Sequence, residues 1–230
     1  MDLNVIRESL PLYLEGLWTT IWLVASALVL GLLLAVPLAI LRTSRNPLVS
    51  WPVFGFTYFF RGTPLLVQLF MIYYGAAQFV GLRESFAWPL LSQAWFCALL
   101  AFTLNTAAYT TEIIRGAIQA TPHGEVEAAR ACGMSPSLMF RRILLPSAFR
   151  RALPAYGNEM IFMLHGSAVA SVVTIVDLTG AARIVNSRFY TPYEAFLTVA
   201  VFYLVLTFGL VWLFRWLEHH LHAHLRRPVA

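Results

Sequence analysis

Four polar residues sit where the sequence is otherwise apolar, and they are the ones able to do chemistry. Asn105, Asn158, Glu159 and His165 all fall inside long hydrophobic runs. An ionised carboxylate in the middle of a bilayer costs about 2.5–3.5 kcal/mol on insertion scales, so Glu159 is not expected to face lipid. Glu159 lies eight residues past Arg151, about 12 Å deep at helical rise, and Asn105 lies ten residues before Arg115, about 15 Å deep. The two therefore reach similar depth, near the bilayer middle where transporters bind substrates. Glu159 can supply negative charge to a cationic group, and Asn105 and Asn158 can hydrogen-bond an amine or a carboxylate. His165 can complement an anion or respond to pH. Each has a plainer alternative. Asn105 can be interhelical glue, His165 a helix–helix contact, and Glu159 the partner of an arginine in another subunit. Glu112 pairs most simply with Arg115, one turn away. Gln68 and Gln78 are weaker candidates.

Other chemistries find no support. There is no His-Glu-x-x-His, no Gly-x-Ser-x-Gly and no pair of membrane aspartates, so no catalytic residue is assigned. All 16 basic residues are arginine. Without lysine there is no Walker-type phosphate loop, so ATP must bind elsewhere if it drives this protein. Cys97 and Cys132 differ in environment and do not read as a disulfide. His220 and His224 are one turn apart and can chelate, but they belong to a basic tail that reads as a solvated helix end, and no metal site is assigned.

The elements that must hold these residues are membrane helices. The chain has 230 residues, 59% hydrophobic and 12% charged, with mean hydropathy +0.70. A soluble domain has too few charges to cover so much apolar surface at that composition. Uncharged or nearly uncharged runs occupy 17–41, 62–82, 85–111, 152–176 and 195–214. Each is long enough to cross the hydrocarbon core. The reading is an all-α integral membrane protein with five transmembrane helices. The segment 1–16 precedes them as an extracytoplasmic stretch, the membrane domain covers 17–220, and 221–230 is a cytoplasmic tail. The first span reads as a retained anchor rather than a cleaved leader. With the N-terminus outside, 12 arginines, Arg61 among them, lie inside and four outside, which favours N-out, C-in. The pI near 9.6 therefore reports topology and not nucleic-acid binding.

Helix boundaries carry their own signals. Thr63-Pro64, Thr121-Pro122, Ser135-Pro136 and Thr191-Pro192 each combine a hydroxyl cap with a first-turn proline. Asp177 can cap a short outer surface helix. The loop 121–146 is polar and organised. Glu125 to Ala131 favours a helix that Gly133 can stop in a left-handed conformation; Ser135-Pro136 starts a second helix and Pro146 ends it. This loop can be a solvated basic connector. Small Ala128 and Ala129, flanked by Glu127 and Arg130, also suit close approach by a partner.

Glu127-Ala128-Ala129, three residues, Gly133, nine residues, then Ile143-Leu144-Leu145-Pro146 resembles, position for position, the EAA loop of bacterial ABC importer permeases. Arg61-Gly62-Thr63-Pro64 is similar to the RGTP motif of the polar amino acid permeases. The stretches from Leu104 to Glu112 and from Leu153 to Glu159 resemble the same group. His165 makes the chain most like the M subunits of histidine/lysine/arginine/ornithine and opine permeases. The resemblance implies a type I ABC importer fold in a bacterial inner membrane, with Glu125, Glu127, Ala128, Ala129, Arg130 and Gly133 coupling to an ATPase. It implies two ATPase subunits carrying ATP and magnesium, a second homologous permease in a heterodimer, and a periplasmic substrate-binding protein. It favours basic amino acids, with opines or other polar amino acids as the alternative. A self-sufficient secondary transporter using Glu159 and His165 as proton carriers is the competing class, weakened by five spans without a repeat.

Overall fold

The computed structural model describes residues 3–221, and every regular element among them is helical. The helices are α1 (Leu3–Arg42), α2 (Pro47–Gly62), α3 (Leu65–Gly75), the single turns α4 (Val80–Arg83) and α5 (Trp88–Leu91), α6 (Ala94–Gln119), α7 (His123–Ala131), α8 (Pro136–Val173), α9 (Leu178–Phe189) and α10 (Pro192–Leu221). By length and composition α1, α6 and α10 can each cross a membrane alone. α8 and α9, bent 48° apart, make a fourth crossing if the pair is one span. The His222 and His224 part of the histidine-rich tail, with Arg226 and Arg227, lies outside the described residues.

α1 and α6 form the central pair. Their contact uses small residues: Ala27, Ala35 and Ala39 on α1, and Ala98, Ala101, Ala107 and Ala108 on α6, are buried. A Cβ at Gly31 would sit 2.3 Å from Thr106 Cγ2, so the two backbones approach as only glycine permits. Phe102 and Leu23 fill the middle of this core, beside Leu69, Met163 and Leu164. Ala148 and Ala152 of α8 close one end. Tyr13, Leu178, Val185 and Val199 close the other. Tyr13 donates to the Ala195 carbonyl at 3.2 Å, tying α1 to α10. The outer surface is apolar, with Trp18, Leu33, Val205, Phe208 and Trp212 exposed. This is the surface expected against lipid or another hydrophobic subunit.

Asp177 caps α9, accepting from Gly180 N at 2.7 Å, as the sequence suggests. Ser135 caps α8, accepting from Leu138 N. Thr63 and Thr121 do not cap the helices that follow them. Their hydroxyls instead bond backward, to the Phe59 and Ile118 carbonyls.

Several expectations change. The run 62–82 is not one helix. Pro64 restricts the residue before it, and Thr63 is extended at φ −118°, ψ 144°. The chain there breaks between α2 and α3. Likewise the run 85–111 begins its continuous helix only at Ala94. Pro146 does not end a helix: α8 continues through it, and a wide π-turn at Phe140–Leu144 comes just before it. Proline lacks the N–H and crowds the carbonyl four residues back, and the widened turn accommodates both. Finally, Arg61 does not sit in a loop. Its carbonyl accepts from Tyr109 Oη at 3.4 Å, and Tyr109 is in the middle part of α6.

Candidate binding cavity and coupling loop

The break at Thr63-Pro64 builds the site. In an unbroken helix the Phe60 carbonyl would accept from residue 64, and proline has no N–H to give. Gln68, one turn into α3, supplies the missing donor. Its Nε2 donates to Phe60 O at 2.7 Å, Thr63 O at 3.0 Å and Thr63 Oγ1 at 2.8 Å. Asn105 of α6 then donates to Gln68 Oε1 at 3.0 Å and to Phe60 O at 3.4 Å. Gln68 is 2% exposed, so these bonds replace water that cannot enter. Asn105 is thus interhelical glue, and it also faces a cavity.

That cavity has a volume of about 430 Å³ and is lined by Thr63, Asn105, Tyr109, Glu159, Phe162 and their neighbours. Its size falls within the range of small-molecule sites. Glu159 is 6% exposed, its burial coming from α8 packing on α6. Asn158 lies about 100° away around α8 and is exposed. His165 Nε2 lies 3.0 Å from Thr207 Oγ1 and its ring meets Tyr203 edge-on, so it faces α10. The structure therefore brings Asn105 and Glu159 together and leaves Asn158 and His165 outside the lining. Gln68 carries more of the geometry than its sequence context indicates. A glutamine four residues after a proline in an apolar run is the available signal.

The polar stripe of α6 turns toward α2. Beyond Asn105 and Tyr109, Glu112 accepts from Thr57 at 3.0 Å, from Arg42 at 3.3 Å and from Arg115 at 3.0 Å. Arg42 also lies over the Phe54 ring, 4.8 Å from its centroid. Glu112 is therefore a structural node joining α1, α2 and α6.

The loop 121–146 has its own architecture. α7 ends as Gly133 adopts φ +71°. Met134 N then bonds Ala129 O at 3.1 Å, and Gly133 N bonds Arg130 O at 2.9 Å, closing the helix end in a left-handed cap. Glu127, Ala128 and Arg130 are exposed and Ala129 is buried. Glu125 is held from behind. Ser147 donates to it at 3.0 Å and Arg151 approaches at 3.8 Å. Arg151 also donates to Ser147 and to Thr121 Oγ1 at 2.6 Å each, and to Ala117 O at 3.2 Å. This clasp ties α7 to the C-terminal end of α6 and to α8 near Ser147 and Arg151.

A bundle with at least three helices long and apolar enough to cross a membrane, a cavity beside a broken helix and a clasped surface loop fit the architecture of a permease. Residues 27–223 match the family described as binding-protein-dependent transport system inner membrane component, and the chain belongs to that family. It is 47% identical to the nopaline transport system permease protein NocM of Agrobacterium fabrum, over all of this chain and 96% of that protein. It is 49% identical to the histidine/lysine/arginine/ornithine transport system permease protein HisM of Salmonella typhimurium, over 89% of each. Among solved structures, it is similar to an amino acid ABC transporter crystallised with histidines, with TM-score 0.86 and 34% identity over 96% of this chain and 99% of that one. The MetNI methionine ABC transporter in inward-facing form shares the fold at TM-score 0.77 and 19% identity, with 96% of this chain and 99% of that one covered.

Proposed function

We infer that this chain is the transmembrane subunit of an ABC importer that carries basic amino acids, or opines built from them, into the bacterial cytoplasm. The observation that carries this reading is the cavity in which Glu159 and Asn105 meet beside a broken helix. A carboxylate in the wall attracts a cationic side chain, and the Asn105 amide is placed to bond the α-amino or α-carboxylate group. Discontinuous helices at mid-depth are the usual frame for such sites. The names of the nopaline and histidine/lysine/arginine/ornithine relatives favour the same substrate class. Asn158, one turn from the cavity-lining Phe162 on α8, is proposed to complete the site from its rim. His165 is given a packing role with Thr207.

The membrane is crossed five times in this reading: by α1, by α2 with α3, by α6, by α8 and by α10. The N-terminus is outside and the C-terminus in the cytoplasm. The loop 121–146 docks on an ATPase, presenting Glu127, Ala128 and Arg130 while Glu125, Ala129 and Gly133 shape it. Two ATPase subunits hold ATP and magnesium. A second permease of the same family pairs with this one, and a periplasmic binding protein delivers substrate. ATP-driven closure of the ATPase pair moves α7, and through its clasp α6 and α8, opening the cavity to alternate sides. The test is uptake by Glu159→Gln in the assembled importer. Loss of basic amino acid uptake with assembly intact supports the reading; unchanged uptake removes Glu159 from the site.

A further inference from the structure

In the five-crossing reading, Arg61 lies at a depth where an arginine is costly. Its carbonyl meets Tyr109, and the preceding carbonyl, of Phe60, meets Asn105. Asn105 is close to the midpoint of the 26-residue α6, so Arg61 is level with the middle of that helix. Charged side chains at such depth turn toward a polar path or a partner. The Arg61 guanidinium lies over the Tyr109 ring, its Cζ 5.4 Å from the centroid. Tyr109 lines the cavity that contains Glu159, so the two opposite charges flank the same tyrosine. The cavity thus has a carboxylate in its wall, with Thr63 and Asn105 also in the lining, and a guanidinium stacked on its lining residue Tyr109.

We propose that Arg61 anchors the carboxylate of the transported molecule, acting as a specificity-determining residue. The proposal rests on Glu159 as the cation site and adds the opposite pole. A guanidinium offers a planar fork of donors matched to a carboxylate, and the Tyr109 face holds that plane in place. Arg61 is exposed, so this fork is not buried within the chain. A basic amino acid carries a cation at one end and a carboxylate at the other. The two poles read both ends at once and disfavour a diamine or other pure cation.

The experiment uses the complete complex of both permeases and the ATPase in nanodiscs, without binding protein. Equilibrium binding is measured for L-arginine and for agmatine, which lacks only the carboxylate. Wild type binds arginine more tightly than agmatine. Arg61→Gln weakens arginine by about tenfold or more through the lost charged hydrogen bonds and leaves agmatine within about twofold; Arg61→Lys recovers part of the difference. Retained agmatine binding shows that the variant is folded. If arginine and agmatine strengthen together, Arg61 is only a tethered counter-charge to Glu159, and the proposal is overturned. It is equally overturned if the arginine-to-agmatine ratio is unchanged in both variants, or if an Arg61→Gln complex that fails to assemble is accompanied by an unchanged ratio in Arg61→Lys. Glu159→Gln forms a separate arm: it weakens both ligands if the cavity is the site. No effect on either ligand there defeats the underlying reading, independently of what Arg61 does.

Discussion

Asn105 donates its side-chain amide to Gln68 Oε1 at 3.0 Å, linking the middle of α6 to the first turn of α3. Gln68 in turn serves the carbonyls left over by Pro64. Replacing Gln68 by Leu leaves Phe60 O with only the longer bond from Asn105, takes the side-chain donor from Thr63 O and removes the acceptor of Asn105, at about 1–3 kcal/mol for an unsatisfied group. Gln68→Leu is expected to lower the melting temperature of the purified complex and to cut uptake severely. Gln68→Glu keeps the shape but loses the donor, and should behave like Leu; wild-type stability in Gln68→Glu would show that the amide is dispensable.

Gly133 has open space where a Cβ would project, but a φ of +71°. The obstacle to substitution is therefore the backbone and not crowding. Gly133→Val should cost about 1–2 kcal/mol of local strain and abolish uptake while membrane insertion persists. Gly133→Asn, which tolerates the left-handed region, should retain a substantial part of activity. Transport assays on the two variants at equal expression decide the matter.

The Glu125–Ser147–Arg151 clasp predicts uncoupling. Ser147→Ala removes a donor to Glu125 and an acceptor for Arg151. ATP hydrolysis by the complex should continue while uptake per ATP falls several-fold. Exchanging the charges, with Glu125→Arg and Arg151→Glu together, should restore more transport than either change alone. Equal coupling in wild type and Ser147→Ala would show that α7 needs no such tether.

Gly31 tests the central helix pair. Gly31→Ala puts a methyl 2.3 Å from Thr106 Cγ2, so stability should drop. Adding Thr106→Ser deletes that methyl and should recover part of the loss. Thermal stability of the single and double variants in detergent measures the recovery.

Cys132 is exposed and Cys97 is buried, which gives a natural reporter of sidedness. A membrane-impermeant maleimide should label Cys132 in inside-out vesicles and not in intact cells. Bound ATPase should slow the labelling. Labelling from outside the cell would overturn the N-out assignment.

Much of the molecule is legible in the sequence because the signals are local and strong. Gly133 as a left-handed stop, Asp177 and Ser135 as caps, and the Glu112–Arg115 pair all follow from residue chemistry over one helical turn. The meeting of Asn105 and Glu159 follows from depth along two helices. What stays hidden depends on how one helix lies beside another. Charge counting places Arg61 at the membrane surface because this one charge divides the uncharged Pro47–Phe60 stretch of α2 from the apolar run 62–82. The proline at 64 signals a beginning and is also an interruption. Side-chain direction around α8 decides that His165 meets Thr207, and the sequence of α8 alone does not reveal which neighbouring helix a face will find.

α8 runs from Pro136, within the loop 121–146, past Glu159 to Val173, helical throughout. The distance from its start to the carboxylate is about 35 Å at helical rise. A push at one end of such a rod arrives at the other with little slack, apart from the widened turn at Phe140–Leu144. That turn is where the α-helical hydrogen-bond pattern is interrupted between Pro136 and Glu159. In the proposed transport cycle, its stiffness would set how much of an ATPase's stroke is spent in bending and how much reaches the carboxylate.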